Sequence, residues 1–161
     1  MEKGCIEVEI MECRKEEDMI GKRLPIKEII QKDVVVAGGG TAGCFAAIAA
    51  ALCGADVALI EKNGALGGTM TVGGVNYPGL FFAWGKQIIG GPCWELIRNL
   101  GECKAAQIPR MVYKSEHHWQ QQIRINAFAL ECALEEACIK SGVDVWLHTM
   151  LSHATESEEG V

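Results

Sequence analysis

The chain has 161 residues, of which 49% are hydrophobic and 22% charged, so it can bury a core and is not a disordered tail. Its formal net charge of −6 and pI of about 5.2 argue against binding to a nucleic-acid backbone or an anionic membrane surface, both of which need a basic face. The longest apolar run, residues 44–53, is too short to cross the ~30 Å hydrocarbon core of a bilayer.

The eight cysteines include no Cys-x-x-Cys pair, so neither a zinc ribbon nor a thioredoxin-like motif is supported, and we predict no metal site. The N-terminus mixes charges and lacks the apolar stretch of a secretion signal. We therefore expect a cytoplasmic protein with reduced thiols. Four cysteines lie in helical patterns, where we expect them to be small buried apolar residues: Cys44, Cys53, Cys132 and Cys138.

Residues 1–32 are charged and irregular in pattern, and we assign them to a lead-in arm that is extended around Pro25. The next segments have the order of a βαβ unit. Residues 33–37 and 56–60 are short apolar runs, typical of strands that are covered on both faces of a parallel sheet. Between them, residues 44–53 are apolar on all sides and predict a buried helix.

Residues 63–93 are rich in Gly and turn signals, so we expect little regular structure and a functional loop there. Residues 94–100 predict a short helix, and residues 126–141 predict a longer one that starts at the N-cap Asn126. Residues 143–148 are a strand candidate. The longer helix carries a stripe of residues that we expect to be buried: Ala127, Leu130, Leu134 and Ala137.

A Gly-x-Gly-x-x-Gly motif lies between the first predicted strand and its helix, the context in which this pattern indicates dinucleotide binding. Gly38 permits the tight turn, Gly40 lets backbone amides approach a pyrophosphate, and Gly43 lets the helix pack close to the strand. The helix N-terminus adds unpaired N–H groups and about half a positive charge. The motif therefore predicts a phosphate cradle that needs no Lys or Arg.

Glu61 lies 18 residues after Gly43, at the end of the second predicted strand. An acidic residue there accepts hydrogen bonds from ribose hydroxyls and repels a 2′-phosphate, which disfavours NADP. These residues alone do not choose between FAD and NAD. An NAD-binding domain would usually continue into a regular helix and strand, whereas here the loop of residues 63–93 follows. Such a loop favours FAD, because Gly67 and Gly68 permit close approach of the backbone to a cofactor.

Residues 33–43, 58–69 and 141–149 resemble the FAD-dependent oxidoreductase family whose flavin domain is of the glutathione-reductase type. Within it, the sequence is similar to flavoprotein dehydrogenases and to relatives of the heterodisulfide reductase flavin subunit. The resemblance covers about residues 22–161. It implies an α/β, Rossmann-like parallel βαβ FAD/NAD(P)-binding domain over residues 33–161.

The resemblance also implies that FAD is the cofactor, and it gives roles to individual residues. The expected contacts are Gly38, Gly40, Thr41, Ala42 and Gly43 at the pyrophosphate, Glu61 at the adenosine ribose with Lys62 beside it, and Gly67, Gly68 and Thr69 along the pyrophosphate and flavin.

The sequence departs from the family pattern because the later Ala-Thr-Gly-Asp-like segment that completes the flavin site, and the region that supplies the substrate pocket, do not occur in it. We therefore expect an incomplete fold, a chain that is inactive alone, and a partner chain that completes the site. Two other functions remain open. One is a non-catalytic nucleotide-binding module that docks onto a larger partner, and the other is an NAD-binding Rossmann enzyme.

Two further groups of side chains are weaker candidates for a site. Adjacent His117 and His118 point in different directions on a helix or a strand, which disfavours a shared metal ion. Arg110 and Arg124 are candidates for binding a carboxylate substrate, although solvated or structural pairing is the commoner role of such residues.

Overall fold

The computed structural model describes residues 6–11, 26–84, 86–109 and 121–155. Arg110, His117 and His118 lie outside these ranges. None of the helices within them has the length and apolar character needed to span a membrane.

Two antiparallel strands precede the domain, a pairing that the sequence pattern does not predict. They are β1 (Ile6–Met11) and β2 (Ile26–Lys32), and Ile6 lies opposite Lys32 at one end of the ladder. Side chains of residues 6–10 in β1 alternate between half-buried and exposed, which is the period of a strand with one covered face.

The predicted βαβ unit is confirmed. Strand β3 (Val34–Ala37) leads through the Gly turn into helix α1 (Thr41–Leu52), and β4 (Val57–Ile60) returns parallel to β3. Gly54, just past the helix, has a φ of +88°, a conformation that a residue without a Cβ adopts readily. β4 is buried along its whole length, as its apolar sequence predicts.

Helix α1 is buried on one face only, so the prediction of a helix buried on all sides was wrong. Cys44 and Ile48 are buried on the side that contacts β3 and β4, whereas Leu52 is 65% exposed. The outward face consists mostly of alanines. An alanine counts as apolar in a sequence pattern, but exposing its single methyl group to water costs little free energy.

The expected burial of the helical cysteines is confirmed for two of them and wrong for the other two. Cys44 and Cys138 are buried, whereas Cys53, the C-cap residue after α1, and Cys132 in α3 are exposed. Hydrogen bonding with Cys44, together with burial, raises the pKa of the Cys138 thiol. Cys138 is therefore protonated at neutral pH and acts as a buried packing residue.

The Gly-rich segment is largely irregular, as predicted. Its regular elements are a 3-10 turn at Gly68–Met70 and the strands β5 (Phe82–Ala83) and β6 (Lys86–Gln87). Helix α2 (Gly91–Glu102) begins three residues before the predicted start at residue 94. The earlier start follows because Pro92 lies in the first turn, where a helix does not need the missing N–H of proline.

The last third of the described chain contains a short strand pair, a helix and a third parallel strand. Strands β7 (Ala106–Gln107) and β8 (Arg124–Ile125) pair antiparallel. They are followed by helix α3 (Ala127–Lys140) and strand β9 (Asp144–Trp146).

Helix α3 has the N-cap that its sequence predicts. The predicted buried stripe is confirmed at Leu130 and Leu134 and is wrong at Ala127 and Ala137, which are only half-buried. The Asn126 carboxamide oxygen accepts a hydrogen bond from the Ala129 amide at 3.1 Å, which confirms the N-cap. Leu130 and Leu134 are 1% and 0% exposed and form the centre of the stripe.

β4 is the central strand of a three-stranded parallel sheet and lies between β3 and β9. The core forms where α1 and α3 pack on this sheet and α2 packs against both helices, around the fully buried Leu59, Leu66 and Leu134. Because the strands are parallel, their carboxyl ends meet at one edge. Ligands of open α/β sheets bind outside that edge.

Lys32 ties the β1–β2 pair to the opposite, amino-terminal edge of the parallel sheet. Its Nζ donates to Asp56 Oδ1 at 2.7 Å and to Asp144 Oδ2 at 2.5 Å, and its side chain is only 9% exposed. Asp56 immediately precedes β4, and Asp144 is the first residue of β9. One ammonium group therefore joins β2 to the starts of two neighbouring strands.

We predict that Lys32→Met lowers the free energy of unfolding by about 1–3 kcal/mol, because charge-assisted hydrogen bonds to a buried ammonium are lost. These hydrogen bonds, to Asp144 and then Asp56, raise the pKa of Lys32 above its usual 10.5. The contribution is therefore fully present at neutral pH and declines as the pH rises through that raised pKa. Urea unfolding at pH 7 and above pH 10.5 measures both effects.

Lys140→Met is the matched control for this variant. Lys140 forms an ion pair with Glu136 in which both side chains are more than half exposed, so its loss should change stability by less than about 0.5 kcal/mol. Equal destabilisation by the two variants would contradict the role given to Lys32.

Candidate functional site

The first Gly turn lies at the carboxyl edge of the sheet and leads into α1. Gly38 has a φ of +103°, and its N–H donates to the Ile60 carbonyl at 2.8 Å, which holds the turn against β4. Gly40 is the N-cap of α1 and provides no side-chain cap, and the first turn of the helix contains no acidic side chain. The amides of this turn thus keep the capacity to bind an anion.

Gly43 has the structural role that the motif predicts. A Cβ at this position would lie 1.9 Å from the Gly38 carbonyl oxygen, a backbone atom that has no freedom to move away. A Cβ at Gly40, in contrast, would meet nothing within 4 Å. The turn is therefore closed on its protein side and open at Gly40.

Glu61 is buried at the end of β4 and already has hydrogen-bond partners in the protein. Its Oε2 accepts from the Gly39 N–H at 2.7 Å, and its Oε1 accepts from the Asn63 N–H at 2.8 Å and from Asn63 Nδ2 at 2.7 Å. Only 6% of the residue is exposed. A carboxylate accepts about four hydrogen bonds, so Oε2 retains the capacity for one more.

The second Gly turn is joined to the first through the backbone. The Gly67 N–H donates to the Gly39 carbonyl at 2.8 Å, and Gly40 and Gly67 form an isolated parallel bridge. The Thr41 hydroxyl donates to the Gly67 carbonyl at 3.2 Å. A Cβ on Gly68 would lie 3.1 Å from the Gly40 Cα, so the two turns are in close contact.

The structure therefore brings together most of the residues that the sequence singles out. Gly40 and Thr41 adjoin Gly67 and Gly68, Gly43 packs against Gly38 in the same turn, and Glu61 lies behind this turn. The remaining three, Ala42, Lys62 and Thr69, are exposed around this group.

Sequence reasoning missed two residues that shape the site, Gly39 and Asn63. A Cβ on Gly39 would lie 2.6 Å from Leu66 Cδ2 and 2.9 Å from Glu61 Cβ, so this glycine is required for the carboxylate to reach the turn. Gly39 did leave a signal in the sequence, because three consecutive glycines occupy residues 38–40 although the Gly-x-Gly-x-x-Gly pattern requires only the first and the third. Asn63 precedes Gly64, and such an Asn-Gly pair indicates only a turn, although the Asn63 side chain also fixes Glu61.

These features fit the ADP half of a dinucleotide cofactor. The space at Gly40 and the uncapped helix N-terminus suit a pyrophosphate, because backbone amides there can approach phosphate oxygens. The remaining acceptor capacity of Glu61 suits one ribose hydroxyl. Within the described ranges, no three His, Cys, Asp or Glu side chains are grouped so that they could hold a metal ion.

Comparison with known proteins gives a family match over most of the chain. The family model described as FAD dependent oxidoreductase matches residues 33–161. A soluble pyridine nucleotide transhydrogenase from Chromohalobacter salexigens is 37% identical over 93 residues, which is 58% of this chain and 20% of the relative. A cinnamate reductase from Clostridium sporogenes is 57% identical over 44 residues, which is 27% of this chain and 7% of the relative.

Among solved structures, that of Thermovibrio ammonificans THI4 aligns with a TM-score of 0.44 and 19% identity, and the alignment covers 72% of this chain and 38% of that chain. The chain thus spans a fifth or less of the length of the two curated relatives.

We predict that Gly43→Ala destabilises the protein by about 2–4 kcal/mol, because the new methyl group would overlap the Gly38 carbonyl and push α1 away from β3. Thermal and urea unfolding measure the loss. Gly79→Ala is the control, since its Cβ would meet nothing within 4 Å and its φ is not in the left-handed region. A Gly43→Ala protein as stable as Gly79→Ala would refute this account of the turn.

Proposed function

Since the chain belongs to the FAD dependent oxidoreductase family and its cofactor is FAD, we propose that the two joined Gly turns and Glu61 hold the ADP half of that cofactor. The observation that carries this proposal is the opening at Gly40, where an uncapped helix N-terminus, the second Gly turn and a buried carboxylate adjoin one another. FAD, when bound, supplies the hydride and electron transfer of a flavin-dependent oxidoreductase.

The proposed pyrophosphate site depends on backbone groups rather than on cationic side chains. Gly38, Gly40 and Gly43 keep Cβ atoms out of the turn, and the amides of Thr41 and Ala42 stand at the helix N-terminus. A helix N-terminus stabilises negative charge through its unpaired N–H groups and its dipole. The contact of Gly67 and Gly68 with this turn would bring their backbone, and Thr69 after them, alongside the same phosphates.

The proposed ribose site is the free acceptor position of Glu61. Gly39 and Asn63 hold the carboxylate in place and leave Oε2 with capacity for one further hydrogen bond, which a ribose hydroxyl would donate. The negative charge disfavours a 2′-phosphate at the same position. Lys62 is exposed beside it and would flank the ribose.

We predict that Gly40→Ala weakens FAD binding by about 10- to 100-fold, because the methyl group would occupy the space proposed for the pyrophosphate and displace amide–phosphate hydrogen bonds. The free energy of unfolding should change by less than about 1 kcal/mol, because the added Cβ contacts no protein atom. Flavin absorbance and fluorescence titrations of the purified chain measure the first effect, and urea unfolding measures the second.

Gly79→Ala again serves as the control and should bind FAD like the wild-type chain. A Gly40→Ala protein with unchanged FAD affinity would show that the cofactor does not lie at this turn. Because all of the residues proposed to contact the ADP half belong to this chain, a wild-type chain that binds no added FAD would overturn the proposed ADP site, whether or not a partner completes the flavin side.

The exposed edge of β3 supports a second part of the proposal, a partner chain that completes the sheet. Among the described residues, β3 pairs only with β4. The N–H groups of Val34 and Gly38 point to the β4 side, so those of Val35 and Ala37 point to the opposite edge. Such an edge can accept another strand. We therefore propose that a partner chain adds a strand beside β3 and completes the flavin site.

We predict that in the chain alone the Val35 and Ala37 amides exchange with solvent roughly 100-fold or more faster than the Val36 amide, which faces β4. Hydrogen–deuterium exchange followed by NMR measures the three amides separately. Val36 is the internal control, because it lies on the same strand. Equal protection of the three amides would mean that this edge is already covered and would contradict the partner proposal.

We also propose that the protein is located in the reducing environment of the cytoplasm. This location is supported by the six cysteines of the described ranges, all of which are free thiols.

A further inference from the structure

A cleft separate from the Gly turns lies between the Gly-rich segment and the β7–β8 pair. Its volume is about 400 Å³, within the range of small-molecule sites. It is lined by Tyr77, Gln107, Ile108, Pro109, Gln122 and Arg124.

The backbone holds the walls of this cleft in place. Ala106 and Ile125 are buried, so their neighbours Gln107 and Arg124, which are paired across the two strands, project to the outer side. The Ile125 N–H donates to the Asn76 carbonyl at 3.0 Å and thereby fixes the loop that carries Tyr77. Both walls are thus attached to the folded core.

The lining combines one cation with neutral polar groups and an apolar surface. Arg124 Nη2 donates to Gln107 Oε1, which orients the guanidinium and leaves four of its five N–H donors for other partners. Tyr77, Gln107 and Gln122 add a hydroxyl and two carboxamides, and the described residues that line the cleft include no acidic side chain. Ile108, Pro109 and the Tyr77 ring supply the apolar part.

We propose that this cleft binds the carboxylate of a small organic acid with an apolar or aromatic body. A guanidinium presents a planar fork of donors that matches the two oxygens of a carboxylate. The apolar lining favours an organic acid over an inorganic anion, because a phosphate would gain nothing from Ile108 and Pro109.

The cleft is connected to the proposed cofactor site through a short piece of backbone. The Val75 N–H donates to the Thr69 carbonyl at 3.0 Å, and Tyr77 follows two residues later. Two residues of chain span at most about 7 Å, so Tyr77 lies close to the second Gly turn. Identifying the bound acid as the redox substrate rests on the proposed function, whereas binding of the acid itself does not.

The test uses benzoate as the probe and the full 161-residue chain, with ¹⁵N NMR titration as the readout. Benzoate should shift the Tyr77, Gln107 and Arg124 resonances saturably, and neutral benzamide should bind at least about 10-fold more weakly. Arg124→Gln should weaken benzoate binding by about 10- to 100-fold. Arg124→Lys should fall between this variant and the wild type, because it keeps the charge but loses the fork.

Arg98→Gln is the matched control, since it removes an exposed arginine of α2 that does not line the cleft, and it should leave the benzoate Kd unchanged. Unchanged affinity in Arg124→Gln, or inorganic phosphate that binds as tightly as benzoate, would overturn the proposal. A flavin titration of the same samples separates the two hypotheses. A wild-type chain that binds benzoate but not FAD counts against the cofactor site alone. A wild-type chain that binds FAD but not benzoate counts against the cleft alone.

Discussion

The buried carboxylate of Glu61 is the interaction on which the arrangement of the Gly turns depends. Burying a carboxylate inside a protein costs several kcal/mol unless it is hydrogen-bonded. The three N–H groups that donate to Glu61 offset this cost. One donor, the Gly39 N–H, belongs to the first turn, and the other two belong to Asn63 after β4. Satisfying this one charge therefore also fixes the first turn against the end of the central strand, before any ligand is present.

The fold was predictable where one physical signal dominates the local sequence. The all-apolar β4, the end of α1 before Gly54 and the Asn126 cap each have a single low-energy structure, and all three are confirmed, although α1 begins at Thr41 and not at residue 44. Predictions failed where the same local sequence is compatible with two different structures. Gly-Gly-Pro at residues 90–92 suits both a loop and the start of a helix, and the alanines of α1 are compatible with burial and with exposure.

The sequence predicted which segments meet at the candidate site, but it did not predict how the two Gly turns contact each other. The motif and its spacing to Glu61 predicted that a Gly turn and a carboxylate lie next to each other at the end of β4, and the Glu61–Gly39 hydrogen bond shows that they do. Glycines and a strand-end acid are recognisable in the sequence, and their role in holding the cofactor remains the proposal. The contact between the two turns leaves no such trace, because Gly67 reaches Gly39 through backbone atoms that every residue has. Asn63 was missed for a related reason, since an Asn-Gly pair is explained by a turn alone and its carboxamide has no further signature.

The Gly-rich segment is constrained from both of its sides, which explains why a long irregular stretch is nonetheless ordered. Gly67 is bonded to the first turn, Val75 to Thr69, and Asn76 to Ile125 of β8. Each of these bonds uses a backbone group that would otherwise be unpaired in a loop with little regular structure. The second Gly turn and the wall of the cleft are therefore two ends of one short, hydrogen-bonded piece of chain. A displacement of Thr69 must be absorbed within the few residues before Tyr77, so the geometry of the cleft depends on the same loop that is proposed to contact the cofactor.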